Sequence, residues 1–146
     1  MINYSEWSIP LGRRFRALKL WFLLRGHGLE GLRSMIRDHV RWAGKVEAAL
    51  AVLPHVEIVT PCMLSLFSFR VRPPGMAGAD LDAFNLALLE AINADGRIYL
   101  TQTRIDDKLV IRFQAGPFTM TEADADTAVA VIAEMAASAL KQVGEG

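Results

Sequence analysis

The sequence predicts an α+β fold in which helices cover one face of a small, mainly antiparallel sheet. Stretches with apolar residues spaced by three and four positions and short stretches rich in β-branched residues follow in the order α-α-β-β-α-β-β-α. Because the strands come in pairs separated by a helix, an antiparallel sheet is the simplest arrangement. A chain of 146 residues that is 52% hydrophobic is long and apolar enough to bury one core. We expect a helical segment over residues 1–53 and a small α+β domain over residues 54–146.

Two helices are predicted before the first strand. The first extends from Arg13 to about Leu24, and Gly26 and Gly28 end it. The second extends from about Glu30 to Leu53, with apolar residues at a spacing of three and four, and Pro54 stops it.

The first strand pair and a third helix come next. Val56–Thr60 and Leu64–Val71 have the composition of strands, and Pro61 between them predicts a bend or a break. Asp80 is the predicted N-cap of the following helix, which ends at Asn93–Gly96.

The second strand pair and a last helix complete the fold. Arg97–Thr103 and Lys108–Phe113 are predicted strands, joined by a turn at Asp106 and Asp107. The last helix begins at Thr121, and the acidic residues in its first turns agree with the helix dipole.

Composition excludes several classes of protein. The overall charge is zero, but residues 1–45 hold nine basic and three acidic residues, and residues 46–146 hold seven basic and 13 acidic residues. The longest stretch without a charge, Ile58–Phe69, has 12 residues, whereas a transmembrane helix needs roughly 18. A single cysteine, Cys62, excludes an internal disulfide, and no spacing typical of a metal site occurs. We therefore expect no membrane or nucleic-acid partner, no metal and, in the absence of a signal peptide, a cytoplasmic location.

Three features of the sequence favour structural roles over chemical ones. The basic and aromatic stretch Arg13–Phe22 could contact a membrane or nucleic acid, but the neutral overall charge favours a solvated or inter-subunit face. His39 lies on the apolar stripe of its helix, which favours a hydrogen-bonded core histidine. Cys62 has no base nearby, which favours an inert buried thiol.

Arg112 is the residue most in need of an explanation. It stands inside the apolar strand Leu109–Phe113, where a buried cation costs several kcal/mol unless it is paired. It could point to solvent or pair with a carboxylate of this chain. Alternatively, its planar guanidinium could bind the carboxylate or phosphate of a ligand.

The stretch Asn3–Phe22, NYSEWSIPLGRRFRALKLWF, closely resembles the pyridoxal-phosphate-dependent group II decarboxylases, of the aromatic-L-amino-acid and tyrosine decarboxylase type. The resemblance continues through Gly28–Leu32, Ile36–Val40 and Leu109–Phe113, so it covers nearly the whole chain.

The resemblance implies that the chain corresponds to the C-terminal part of such an enzyme. It would comprise the end of the large domain and the small C-terminal domain of a fold-type I enzyme, which works as a homodimer. In this family the Schiff-base lysine directly follows a histidine, and none of the four lysines of this chain does so. The resemblance therefore implies that the complete enzyme uses pyridoxal 5′-phosphate (PLP), that this chain carries no catalytic residue, and that it forms no covalent bond to the cofactor.

The resemblance also implies two places that belong to a site. Leu11 and Gly12 match a turn that reaches the cofactor phosphate of the partner subunit, where glycine lets the backbone approach closely. Arg112 matches an arginine that fold-type I enzymes commonly use to bind the substrate carboxylate.

Two functions follow from these observations. The first is the C-terminal part of an aromatic-amino-acid decarboxylase, which contributes dimer interface and one wall of the active site and is inactive without the missing large domain. The alternative is a stand-alone, non-catalytic binding module derived from that domain. In a stand-alone module Trp7, Trp21 and Phe22 should be buried, whereas in the fragment they should be exposed.

Overall fold

A computed structural model describes residues 15–144 of the chain, and in this range it contains three helices and four strands. The described residues form two compact units, which extend up to Ser34 and from Met35 onward. In chain order, the elements are α1 (Ala17–Ala51), β1 (Val56–Met63), β2 (Leu66–Val71), α2 (Gly78–Asp95), β3 (Thr101–Ile105), β4 (Lys108–Gln114) and α3 (Glu122–Gly144).

Helix α1 contains both of the helical stretches predicted before the first strand. Gly28 separates them, because its φ of 69° and ψ of 165° lie outside the helical region. A positive φ is accessible to glycine at little cost, which explains why the interruption falls there. The first helical stretch continues past the predicted end at about Leu24 as far as Gly28, and the second begins directly after Gly28, close to the predicted Glu30.

The four strands form one antiparallel sheet in the order β1-β2-β4-β3. Pro61 does not end β1, which continues to Met63, but the pairing of β1 with β2 shifts register between Ile58 and Met63. An edge strand tolerates proline in this way, because one side of its backbone needs no partner. Asp106 and Asp107 have positive φ values of 47° and 60° and form the predicted turn between β3 and β4.

The core lies between one face of the sheet and the helices. Phe67 faces Phe113 across β2 and β4, with ring centres 5.3 Å apart, and Phe69 faces Ile111. These side chains pack with residues of all three helices, among them Val46, and confirm the predicted fold. Since side chains alternate along a strand, Ser68 and Arg112 lie on the opposite face. The remaining helical members of the core are Ala43, Leu50, Leu88, Leu89, Ile92, Ala125, Ala128, Val131, Ile132 and Ala136.

His39 is buried as predicted, and its ring lies against an aromatic neighbour. Within residues 15–144 its Nε2 atom has no hydrogen-bond partner, and the ring instead packs 5.8 Å from the ring of Trp42.

Helix α2 begins earlier than predicted. Its N-cap is Ala77, which provides no side-chain cap, and Asp80 lies within the first turn, so the prediction of Asp80 as N-cap is wrong. A carboxylate in the first turn stabilises the positive helix terminus without capping it. Gly96, with a φ of 81°, ends the helix as predicted.

Two asparagines of α2 bind the backbone of the sheet. Asn85 is fully buried, and its Oδ1 accepts a hydrogen bond from the amide of Val71 at 2.8 Å while its Nδ2 donates to the carbonyls of Val71 and Leu81. Asn93 makes the same pair of bonds to Leu100, at 2.8 and 3.0 Å. Because the amide and the carbonyl of Leu100 are hydrogen-bonded to the side chain of Asn93, β3 begins at Thr101 instead of the predicted Arg97.

Replacement of Asn85 by alanine should destabilise the domain strongly. The substitution leaves the buried amide and carbonyl of Val71 without their partners. The expected loss is about 2–4 kcal/mol in the free energy of unfolding. Urea unfolding of the 146-residue chain measures this loss. Gln142→Ala, at an exposed position of α3, is the control and should change the stability by less than about 0.5 kcal/mol. Equal effects of the two substitutions would contradict the role of Asn85.

The start of α3 should contribute stability that depends on pH. Asp124 accepts hydrogen bonds from the amide and the hydroxyl of Thr121, both at 2.7 Å, and these bonds lower the pKa of its carboxyl group. A lowered carboxyl pKa stabilises the fold above the ordinary aspartate pKa, and this contribution is lost as the pH falls through the lowered value. Asp124→Asn should therefore lower the melting temperature at pH 7, and the difference from the parent chain should shrink towards pH 3, as measured by circular dichroism. A difference that is independent of pH would exclude this mechanism.

Candidate functional site

Arg112 lies near one end of the sheet, between Ser68 on β2 and Thr101 on β3. Its side chain is half-buried and faces an open cavity of about 380 Å³. Within residues 15–144 no carboxylate forms an ion pair with Arg112, and no acidic side chain lines the cavity. The cavity is lined by Tyr99, Thr101, Arg112, Gln114, Gly116 and Pro117.

The guanidinium of Arg112, which has no ion pair within residues 15–144, contrasts with other arginines in and beside the sheet. Arg70 and Arg104 both donate to Asp82, at 2.6 and 3.1 Å, and Arg72 pairs with Glu57. The interpretation that Arg112 pairs with a carboxylate of this chain is therefore not supported by the described residues. A half-buried guanidinium without a counter-ion can bind a carboxylate or phosphate with two parallel hydrogen bonds.

A second, mainly apolar cavity of about 350 Å³ adjoins that of Arg112. The two cavities share Tyr99, Gln114 and Pro117. The arrangement can thus accept a ligand that joins an anionic group to an apolar one. The apolar part is lined by Ile98, Leu100, Phe113 and Met120.

Sequence reasoning did not single out Tyr99. Its side chain is 79% exposed, whereas its neighbours Ile98 and Leu100 turn towards the core. This alternation was present in the sequence as an aromatic residue between two aliphatic ones. The approach of Tyr99 to Arg112 depends on the strand pairing and could not be predicted from local pattern.

The remaining sequence candidates add nothing to this site. Leu11 and Gly12 lie outside the described residues, so their proximity to a cofactor phosphate stays a prediction. Cys62 is half-buried, its thiol donates to the carbonyl of Leu64 at 3.5 Å, and burial raises the pKa of the thiol. A raised pKa keeps the sulfur protonated and poorly nucleophilic, which agrees with an inert thiol.

One lysine of this chain, Lys45, has two carboxylate partners. Lys45 contacts Glu122 and Asp126 at 3.0 and 2.6 Å, and these hydrogen bonds raise the pKa of its ammonium group. A Schiff-base lysine needs an amine that loses its proton readily. Lys19, Lys108 and Lys141 are exposed, and none of the four follows a histidine.

The described part of the chain has neither a cluster suited to a metal ion nor a membrane-spanning helix. Across residues 15–144, no three or more His, Cys, Asp or Glu side chains are grouped so that they could hold a metal ion. No helix in the same range has the length and apolar character needed to cross a membrane.

Known proteins are similar to this chain in sequence and in fold. The pattern described as the pyridoxal-dependent decarboxylase conserved domain matches residues 1–72. Tyrosine decarboxylase 2 of Narcissus pseudonarcissus is 42% identical over 123 residues, which make up 84% of this chain and 25% of that protein. Phenylacetaldehyde synthase of Arabidopsis thaliana is 40% identical over 116 residues, 80% of this chain and 24% of that protein.

The fold of this chain is also similar to that of a solved structure. The crystal structure of Oryza sativa TDC with PLP and tryptamine matches with a TM-score of 0.81 and 29% identity, over 94% of this chain and 30% of that chain. The chain belongs to the group II pyridoxal-dependent decarboxylases.

The chain spans about a quarter of the length of the relatives it matches. The unit before Met35 presents large apolar side chains to solvent, with Trp21 53% and Phe22 60% exposed. The two rings pack edge to face against each other, and the guanidinium of Arg25 lies 5.9 Å from the ring centre of Trp21. Such exposure is the property expected of a fragment and not of a stand-alone module; Trp7 lies outside the described residues.

The exposed rings should make the isolated chain self-associate. Light scattering of the 146-residue chain should give an apparent mass of at least twice 16.1 kDa. Trp21→Glu combined with Phe22→Glu should bring the mass towards that of a monomer. Arg33→Gln, an exposed substitution in the same helical segment, should leave the self-association unchanged. A monomeric parent chain would count against the fragment interpretation.

Proposed function

We propose that this chain functions as the C-terminal part of a PLP-dependent decarboxylase that acts on aromatic L-amino acids. The observation that carries the proposal is that Arg112 is half-buried and lines a cavity, while its guanidinium has no counter-ion among residues 15–144. The relatives support the reaction class and the substrate class, since one is named a tyrosine decarboxylase and the Oryza sativa structure contains tryptamine.

In this proposal Arg112 binds and orients the substrate carboxylate. Its planar donors match two carboxylate oxygens, and the strands on both sides limit the positions that its side chain can take. The apolar cavity that shares Tyr99 with Arg112 supports a ligand with an apolar group beside its charge. Arg112 would thus form part of one wall of the active site and position the substrate there.

PLP would withdraw electrons from the reacting carbon, and the complete enzyme would hold it in the part that is missing from this chain. This chain is assigned no covalent bond to the cofactor, because none of its four lysines follows a histidine. Leu11 and Gly12 are proposed to approach the cofactor phosphate of the partner subunit in a cytoplasmic homodimer. The missing large domain of the same enzyme would cover the exposed rings of Trp21 and Phe22.

The first measurement is the intact mass of the native protein, detected with an antibody against residues 4–22. A product several-fold heavier than 16.1 kDa supports the proposal. A native product of 16.1 kDa would instead indicate a free binding module, and the decarboxylase assignment for this chain would fail.

The second measurement tests Arg112 in that native enzyme. Arg112→Gln should lower kcat/KM for an aromatic L-amino acid by about 100-fold, or about 2.7 kcal/mol, because a charged hydrogen-bonding partner is lost. Arg112→Lys should restore part of this loss, since it keeps the charge but not the planar geometry. Arg41→Gln, an exposed arginine paired with Asp38, is the control and should be neutral. Full activity of Arg112→Gln would exclude the assigned role.

A further inference from the structure

The cavity of Arg112 has one end that the neighbouring apolar cavity does not share. Among the described residues, those that line only this end are Arg112 itself, Thr101 and Gly116. Glycine has no side chain, so the polar side chains at this end are those of Arg112 and Thr101. A ligand that spans both cavities would therefore place its anionic group beside a guanidinium and a hydroxyl.

Thr101 is a direct cross-strand neighbour of Arg112. The two residues are opposite each other in the pairing of β3 with β4, so their side chains lie on the same face of the sheet. The Cβ atoms of directly opposed residues are about 4.5–5.5 Å apart, which lets both side chains contact one small bound group. Within residues 15–144 neither side chain makes a hydrogen bond, so both retain their donors.

Ser68 is the neighbour of Arg112 on the other side, and its hydroxyl is already bonded. It is opposite Arg112 in the pairing of β2 with β4. Its Oγ lies 2.6 Å from the Oγ1 of Thr60, and the residue is only 2% exposed. Ser68 does not line the cavity. Of the two cross-strand neighbours of Arg112, Thr101 is thus the one that can offer its hydroxyl to a ligand.

The structure around Thr101 holds its hydroxyl in place. The preceding residue, Leu100, is hydrogen-bonded through its amide and its carbonyl to the side chain of Asn93, at 2.8 and 3.0 Å. Thr101 itself is the first residue of β3 and is paired with β4. Threonine is branched at Cβ, which limits the rotation of its side chain. A donor that is ordered before the ligand arrives binds at a lower cost in entropy.

We propose that the hydroxyl of Thr101 donates a hydrogen bond to the substrate carboxylate that Arg112 binds. This inference rests on the proposed function, in which Arg112 binds that carboxylate. A carboxylate has about four lone-pair sites, and a guanidinium that binds both oxygens occupies two of them. An oxygen can therefore accept a further bond from Thr101. Donors on two strands fix the rotation of the carboxylate as well as its position.

The test compares two probes that differ in the carboxylate. Hydrocinnamate has an aromatic ring and a carboxylate, whereas phenethylamine has the ring but no carboxylate. Their dissociation constants are measured by calorimetric titration of the complete native enzyme that contains this chain. Thr101→Val should weaken the binding of hydrocinnamate about tenfold, because a hydrogen bond to a charged group is lost, and should leave the binding of phenethylamine unchanged. Thr101→Ser keeps the hydroxyl and should restore most of the affinity for hydrocinnamate.

Thr103→Val is the matched control. Thr103 lies two residues further along β3, on the same face as Thr101, and is also exposed. It is opposite Val110 and does not line the cavity. The same change of side chain should therefore leave the binding of both probes unaltered.

Arg112→Gln separates this inference from the proposed function. If Arg112→Gln weakens the binding of hydrocinnamate and Thr101→Val does not, the assignment of Thr101 fails while that of Arg112 stands. If Arg112→Gln leaves the binding of hydrocinnamate unchanged, both assignments fail. Equal weakening of the two probes by Thr101→Val, or equal effects of Thr101→Val and Thr103→Val, would show a structural effect and would overturn the inference.

Discussion

The hydrogen bonds between Asn85 and the backbone of Val71 join helix α2 to the sheet where two central strands stop pairing. Strands β2 and β4 are paired as far as Phe69 and Ile111. Beyond that point the side chain of Asn85 hydrogen-bonds both the amide and the carbonyl of Val71. The carboxylate of Asp82 accepts a hydrogen bond from the amide of Leu109 at 3.2 Å. Side chains of α2 thus replace the missing ladder bonds, and buried backbone groups remain satisfied.

This attachment determines where the polar chemistry of the domain lies. With Asn85 in place, the N-terminal end of α2 lies beside Arg70 and Arg104, which share the carboxylate of Asp82. At the other end of the helix, Asn93 holds Leu100 and so sets the first residue of β3. The position of Tyr99 next to the cavity of Arg112 follows from that second attachment.

The arginines of the sheet separate into two groups by their environment. Arg70, Arg72 and Arg104 have carboxylate partners and surround the start of α2, whereas Arg112, at the opposite end of β4, has none in the described residues. Paired arginines stabilise the fold and shape a cavity whose charge is nearly balanced. An unpaired, half-buried arginine retains its full capacity for an incoming anion. The same residue type therefore stabilises the fold at one place and is available for binding at another.

The sequence by itself determined the order of the elements, the antiparallel pairing and the family, because apolar periodicity and a long specific motif are local properties. It also drew attention to Arg112, since a cation inside an apolar strand conflicts with its surroundings. Only the tertiary structure decided that Arg112 has no ion-pair partner among residues 15–144 and that Ala77, not Asp80, is the N-cap residue of α2. The same holds for the amide bonds of Asn85 and for the unpartnered Nε of Arg70. These features depend on which residues strand register and helix packing bring together from distant parts of the chain, and no local pattern records that.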